Sequence, residues 1–209
     1  MSHYSKHSFG FTLVELMVSI AIVTVILTVI ISNQSTYTDT AALAGLADEI
    51  SLTISQAQVY SIGVRELSTS SQVFSSSYGL SFSLLSGNSG SNVDYIYFAD
   101  RDSDLVYSGD WLCATGGPSD ECLSKTNITR GNLIQSMCVV LVSGPDVCDV
   151  GRVDISFVRP DTEAQIKLFD LNGVAYPPTS MKGAKIMLVS PKGATRSVSV
   201  FSTGQISEQ

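Results

Sequence analysis

The chain opens with a short polar segment that is followed by one long apolar run. Residues 11–31 read FTLVELMVSIAIVTVILTVII, and Glu15 carries the only formal charge in this run. As an α-helix rising about 1.5 Å per residue, the run would extend about 31 Å, close to the roughly 30 Å hydrocarbon core of a bilayer. The pattern predicts a membrane-spanning helix, for which a plain single-pass anchor is the simplest interpretation.

A second helical pattern follows the polar stretch at residues 32–40 and extends to about residue 62. The positions that fall on one face of this helix are mostly apolar, which predicts packing against a β-sheet. They are Leu43, Leu46, Ala47, Ile50, Ile54, Ala57 and Ser61. We expect Asp39 or Thr40 to restart or cap the helix and Gly63 to end it.

Beyond residue 64 the pattern changes to short β-type runs separated by Ser, Gly, Asn and Asp. Six runs predict strands, at residues 78–84, 93–99, 153–158, 164–169, 184–189 and 196–201. The serine- and glycine-rich stretches at residues 68–77 and 85–92 are predicted to be loops. The predicted fold class is α+β: a long N-terminal helix, transmembrane in its first half and amphipathic in its second, packed on a mostly antiparallel sheet.

Composition and charge exclude several classes of function. The formal charge is −7, from 12 basic and 19 acidic residues, which disfavours nucleic-acid binding by the bulk surface because such binding needs clustered Lys and Arg. Both histidines, His3 and His7, precede Gly10. The chain from Phe11 onward therefore has no imidazole for a Ser-His-Asp or Cys-His nucleophile or for a typical catalytic zinc site. An enzyme using paired carboxylates remains a hypothesis, but no spacing singles out an acid and a base.

Glu15 is the unusual residue of the apolar run. A carboxylate within a spanning segment costs on the order of 2.5–3.5 kcal/mol on insertion scales, so it needs a partner. The nearest lysine or arginine is Lys6, which lies beyond a helix-breaking glycine. We therefore expect the partner to come from another molecule, and a free α-amino group on a neighbouring chain would serve.

The segment Gly10-Phe11-Thr12-Leu13-Val14-Glu15-Leu16-Met17 resembles the type III signal sequence of type IV pilins and type II secretion pseudopilins. The resemblance implies that a prepilin peptidase cuts between Gly10 and Phe11 and methylates the new Phe11 amine. It also implies that Glu15 pairs with that amine in an adjacent subunit. The chain departs from many pilins in lacking a proline about two-thirds along this helix, where Ser32 and its neighbours stand.

This resemblance implies an organisation and a function. The implied parts are a cleaved leader (residues 1–10), a transmembrane and polymerisation helix (11–31), the amphipathic half of a stalk helix (32–63) and a β-rich head (64–209). The function would be that of a non-catalytic structural subunit, a minor pilin or pseudopilin, of a type IV pilus or a type II secretion pseudopilus. The alternative is a tip-located subunit that binds or primes, for adhesion, a secretion substrate or DNA uptake.

The same resemblance implies partners and a location. The partners would be other pilin or pseudopilin subunits, the prepilin peptidase, an assembly ATPase and a platform protein, and no cofactor would be required. The positive-inside tendency would keep the leader with Lys6 in the cytoplasm and export the rest. The subunit is thus expected in the inner membrane with an extracytoplasmic head, and then in an extracellular or periplasmic filament.

Weaker resemblances point to one branch of the family. The stretches ADEISLTISQAQ, YGLSFS and RSVSVFSTGQI are similar to the minor-pseudopilin H and fimbrial T branch, the last as a pair of strands around Gly204. Residues 111–151 fit no pattern that we recognise.

Four cysteines lie in the predicted head, at Cys113, Cys122, Cys138 and Cys148. Their spacings are too wide for the CxxC knuckles of structural zinc sites. An exported head would lie in an oxidising compartment, which favours disulfides over free thiols. Three pairings exist; we favour the sequential one, which closes two short loops and contributes about 2–3 kcal/mol for each.

The last candidate site is acidic. Asp100, Asp102 and Asp104 alternate in ADRDSD, and carboxylates gathered on a loop are typical calcium ligands. The match to an EF-hand is poor, because Leu105 replaces the turn glycine and Trp111 the bidentate glutamate. Calcium and a solvated acidic turn therefore both stay open. The aromatic residues around this loop are expected to form core rather than a ligand surface; they are Tyr95, Tyr97, Phe98, Tyr107 and Trp111.

Overall fold

The computed structural model describes residues 10–63, 77–114, 121–175 and 180–209. Within these ranges it contains one long helix, a short 3-10 helix and nine strands. The chain divides into two compact units, Met1–Thr38 and Asp39–Gln209, and the long helix contributes to both.

Helix α1 spans Leu13–Ile62 without interruption. The expectation that Asp39 or Thr40 begins a second helix is therefore wrong. The physical reason is that no proline or glycine interrupts residues 11–44, so the helical backbone hydrogen bonds continue through this stretch. A polar side chain here also bonds within the helix: the Thr38 hydroxyl donates to the Gln34 carbonyl at 2.6 Å. The predicted stop is confirmed: α1 ends at Ile62, and the Gly63 N–H donates to the Val59 carbonyl at 3.1 Å.

The second unit contains the sheet. Its strands are β1 (Ser77–Ser83), β2 (Ser91–Asp100), β3 (Cys122–Asn127), β4 (Leu133–Leu141), β5 (Val147–Phe157), β6 (Ala164–Asp170), β7 (Met181–Val189), β8 (Thr195–Phe201) and β9 (Ile206–Glu208). They pair antiparallel in the order β3-β2-β1-β5-β4-β7-β8-β9, with β6 paired to β5.

All six predicted strands are confirmed, with their ends shifted by up to several residues. Strands β3 and β4 lie in the stretch that fits no recognised pattern. The predicted loop at residues 85–92 is wrong in part, because it contains the 3-10 helix Gly87–Ser89 and the start of β2. The other predicted loop, residues 68–77, lies outside the described residues except for Ser77, which begins β1.

Strand β5 joins two parts of the sheet. Its first residues pair with β4, as in Val147 opposite Val139, whereas its later residues pair with β1 on one edge and β6 on the other. The change of partner falls at Gly151, where an added Cβ would lie 2.3 Å from the Asp170 carbonyl oxygen. Only glycine permits this close approach of two backbones.

The later part of α1, from Leu43 onward, and one face of the sheet enclose the main core, as the sequence predicts. Every residue of the predicted helical face is buried, and its apolar members join the sheet side chains in one cluster. Strand β2 is buried on both faces, because alternate side chains point to opposite sides. Tyr95 and Tyr97 enter the main core, whereas Ile96 and Phe98 form a second, smaller cluster with Tyr107, Trp111 and Cys122. The expectation that the aromatic residues form core is confirmed.

Residues 101–113, which we call the cap, supply Tyr107 and Trp111 to this second cluster. The cap thus covers the outer face of β2.

Candidate functional site

The predicted processing and assembly residues lie together at the start of α1. Gly10 and Phe11 precede the helix, and the Phe11 side chain is 76% exposed. Thr12 caps the helix, because its hydroxyl oxygen accepts the Glu15 N–H at 3.2 Å. The exposed Glu15 carboxylate lies in the first turn, where the partial positive charge of the helix N-terminus favours an anion.

The apolar part of α1 has no protein cover in a single chain. The segment Leu13–Ile31 is long and apolar enough to cross a membrane, and none of it is buried. Its hydroxyls are satisfied within the helix: Ser19, Thr24 and Thr28 each donate to the carbonyl four residues earlier, at 2.7–2.8 Å. A helix whose polar groups are paired internally is suited to lipid or to packing against other helices.

In the head, polar contacts concentrate under the cap. Asp94 of β2 accepts the Trp111 indole N–H at 2.6 Å and lies 3.1 Å from the Lys125 ammonium. Lys125 also donates to the Trp111 carbonyl at 2.8 Å. The buried carboxylate and the lysine therefore hold both the ring and the backbone of Trp111.

Three carboxylates meet at the base of the cap. One oxygen from each of Asp100, Asp102 and Glu121 lies within 4.8 Å of the others. Asp100 accepts the Ser103 and Leu105 N–H groups at 2.7 and 3.1 Å. Because Asp100 already holds two backbone donors, the acidic turn is ordered, while its residues 101–104 are exposed to solvent.

Glu121 holds two further backbone groups of the cap. Its carboxylate accepts the N–H groups of Arg101 and Ser108 at 2.9 and 2.8 Å. Burial raises the pKa of Glu121, and the nearby charges of Asp102 and Asp100 raise it further, against the lowering effect of the two N–H bonds. The carboxylates therefore repel one another when all are ionised.

This arrangement differs from the predicted ligand set. Asp100 and Asp102 belong to the group, but Asp104 does not; its carboxylate accepts the Val106 N–H at 2.8 Å instead. Glu121 takes the third place, and sequence reasoning missed it because it is distant along the chain from the ADRDSD run. The available signal was its neighbour Cys122, because the predicted Cys113–Cys122 disulfide brings Cys122 next to the end of the cap. Calcium at this group stays a prediction.

Two disulfides confirm the sequential pairing. Cys113–Cys122 joins the end of the cap to the first residue of β3, with Cα atoms 5.4 Å apart. Cys138–Cys148 joins β4 to β5 across their antiparallel pair. The first disulfide closes the loop that brings Glu121 under the cap.

The comparisons with known proteins bear on the start of α1. The chain matches the family described as "Prokaryotic N-terminal methylation motif" over residues 5–31, a range that contains Gly10, Phe11 and Glu15. No curated protein and no solved structure matches the chain. With this motif at the start of an exposed apolar helix, and with the same helix continuing onto an antiparallel sheet, the chain is pilin-like.

Proposed function

We propose that this protein is a non-catalytic subunit of a type IV pilus or a type II secretion pseudopilus, anchored in the inner membrane through α1 with its head exported. The observation that carries the proposal is the methylation motif at the start of an apolar helical segment, Leu13–Ile31, none of which is buried. An uncovered helix of this kind needs lipid before assembly and neighbouring helices afterwards.

Processing would occur at the Gly10–Phe11 bond. Both residues lie before the first turn of α1 and are exposed, so the bond is accessible to a prepilin peptidase without unwinding the helix. Cleavage would create an α-amino group at Phe11, which the same enzyme would methylate.

Assembly would then use Glu15 to set the register between subunits. An unpaired carboxylate costs on the order of 2.5–3.5 kcal/mol within a spanning helix, and pairing with the Phe11 amine of a neighbour would neutralise both charges. A helix packed out of register would leave both groups unpaired in an apolar environment. An assembly ATPase and a platform protein would extract the helix from lipid.

The test compares cleavage with incorporation. Glu15→Leu is expected to be cleaved and methylated at Phe11, to stay in the membrane and to be lost from sheared filaments, whereas the control Ser19→Ala is expected to be incorporated as the wild type. N-terminal sequencing and quantification of the sheared fraction give both readouts. Retention of Met1 by the wild type in cells with an active prepilin peptidase would refute processing, and incorporation of Glu15→Leu at wild-type levels would refute the role of Glu15.

The cap favours one variant of this function, a minor subunit at the filament tip that binds or primes. The cap is tied to β3 by the Cys113–Cys122 disulfide and held by buried carboxylates, and it presents Leu112 with 67% of its surface exposed. The β8–β9 pair around Gly204 further supports the minor-pseudopilin H and fimbrial T branch. A minor subunit is expected in trace amounts in sheared filaments, and dominance of the sheared fraction would rule it out.

A further inference from the structure

An exposed aromatic ring lies near each end of the apolar segment of α1: Phe11 just before the helix begins, and Tyr37 just after the apolar run ends at Ile31. Phe11 is 76% exposed and Tyr37 is 83% exposed, the highest value among the large apolar and aromatic side chains described. Between Glu15 and Asp39 the sequence contains no Asp, Glu, Lys or Arg. We propose that Tyr37 is an interfacial anchor, whose ring lies among the lipid headgroups on the outer side of the membrane and fixes the depth of the helix. This inference rests on the membrane step of the proposed function.

The spacing of the two rings matches the thickness of a bilayer. Phe11 and Tyr37 are 26 positions apart in the sequence, which is about 39 Å along a helix. A bilayer with its headgroup regions measures about 40–45 Å. Both rings therefore reach an interfacial region at the same time. Tyrosine suits this region because its ring is apolar and its hydroxyl is polar.

The anchor changes the position of Glu15. If the apolar run alone set the depth, with residues 11 and 31 at the hydrocarbon edges, Glu15 would lie about 6 Å inside and Tyr37 about 9 Å outside. Drawing Tyr37 to the headgroup level moves the helix toward the cytoplasm by about 4–5 Å, because the headgroup regions are about 5–7 Å thick. Glu15 then lies about 1–2 Å from the hydrocarbon edge, where its carboxylate reaches water.

The sequence next to Tyr37 allows this shift and limits it. Residues 32–36 are polar but uncharged, so bringing them to the hydrocarbon edge costs less than burying a charge. Asp39 follows two residues later and forms a 3.7 Å ion pair with Lys192. This pair must stay in water, and a deeper position of the helix would bury it. The Tyr37 anchor therefore holds α1 of the unassembled subunit at a depth where Glu15 lies near the cytoplasmic surface.

The experiment measures the depth of tryptophan reporters in the full chain. Tyr37→Trp and, as a mid-helix control, Val23→Trp are reconstituted in phosphatidylcholine vesicles that carry bromine either near the headgroup or near the chain ends. The wild type, whose one tryptophan is the buried Trp111, gives the background. The reporter of Tyr37→Trp is expected to show blue-shifted emission and stronger quenching by the headgroup-proximal bromine. The reporter of Val23→Trp is expected to show stronger quenching by the chain-end bromine.

The outcomes separate the anchor from the membrane step. An unquenched reporter in Val23→Trp would show that α1 does not insert, which overturns both proposals. A quenched reporter in Val23→Trp, together with unquenched and water-like emission from Tyr37→Trp, would overturn the anchor alone. Strongest quenching of Tyr37→Trp by the chain-end bromine would do the same.

A second pair of variants tests the depth of the helix start, with a reporter two residues after Glu15. With a Met17→Trp reporter, Tyr37→Ala is expected to increase quenching by the chain-end bromine, because the helix moves outward and residue 17 goes deeper. Tyr37→Phe is the matched control, because a second tryptophan at position 37 would add its own emission to that of the reporter. This variant is expected to keep the reporter close to its original depth. Equal quenching in all three chains would overturn the proposal.

Discussion

Arg152 and Asp154 lie two positions apart on β5 and form an ion pair through two nitrogen atoms. Nη2 is 2.7 Å from Oδ2 and Nε is 3.0 Å from Oδ1. The carboxylate is fully buried and also accepts the Ser81 hydroxyl and the Tyr107 N–H. Burial raises the pKa of Asp154, and Arg152 opposes this shift. One side chain thus links β1, β5 and the cap.

Asp154→Asn is expected to destabilise the head strongly. The change leaves the Arg152 guanidinium without its counter-charge, and breaking a buried pair in this way costs about 3–5 kcal/mol. Urea denaturation of the full chain in detergent measures the change in unfolding free energy. The control is Asp146→Asn, in the more exposed pair with Lys185, which is expected to cost less than about 1 kcal/mol. Equal losses in the two variants would contradict the central role of Asp154.

Asp170 gives the head a defined pH dependence. The Val174 N–H, followed by the Asn172 N–H and side-chain amide, lowers the pKa of the Asp170 carboxyl. A lowered pKa contributes stability that is present above the ordinary carboxyl value and is lost as the pH falls through the folded value. The stability difference between the wild type and Asp170→Asn should therefore shrink on acidification. A difference that stays constant from neutral to acid pH would disprove this assignment.

Two glycine-to-alanine changes are expected to have opposite effects. In Gly151→Ala the new Cβ would meet the Asp170 carbonyl oxygen at 2.3 Å, and relieving this clash should cost at least about 1–3 kcal/mol. In Gly45→Ala the new Cβ would meet no heavy atom within 4 Å, and alanine should stabilise the helix by about 0.5–1 kcal/mol. Denaturation midpoints of both variants check the signs, and a stabilising Gly151→Ala would rule out the close approach described for β5.

The two disulfides are expected to stabilise by similar amounts but in different places. Their sequence separations are 9 and 10, so replacing either pair by serine should cost about 2–3 kcal/mol. Hydrogen exchange should distinguish them. Loss of Cys113–Cys122 is expected to speed exchange of the Ser108 and Arg101 amides, which Glu121 holds, whereas loss of Cys138–Cys148 is expected to spare them. Uniform acceleration in both variants would argue against a separately held cap.

The calcium hypothesis now makes a sharper prediction than the sequence did. If Asp100, Asp102 and Glu121 hold an ion, added calcium should raise the unfolding temperature and a chelator should reverse the increase. Asp102→Asn should abolish the effect, while Asp104→Asn should keep it because Asp104 lies outside the group. An unfolding temperature that does not respond to calcium in the wild type would end the hypothesis.

Periodicity predicted the parts of the fold whose side chains face one core. Leu43, Ile50 and Ile54 share a helical face and are all buried in the main core. Their spacing predicts this, because residues at helical spacing face the same side. Strands β3 and β4 were missed because polar residues such as Lys125 and Gln135 interrupt their alternation. The position of Glu121 was missed because periodicity carries no information on it; only the Cys113–Cys122 pairing brings this distant residue to the cap. At the start of α1 the local motif was sufficient, because its residues are adjacent along the chain.

The manner in which the cap is attached has an evolutionary consequence. The side chains of Asp100, Glu121 and Asp154 all accept N–H groups from the cap, and those of Lys125 and Arg152 donate to its carbonyls. The contacts that hold the cap are therefore made largely to its backbone N–H and carbonyl groups. Every amino acid except proline, which lacks the N–H, supplies both groups. Mutations at an exposed position such as Leu112 would alter the displayed surface without removing any of these contacts. Related proteins could thus diversify what this surface recognises while inheriting the same clasp beneath it.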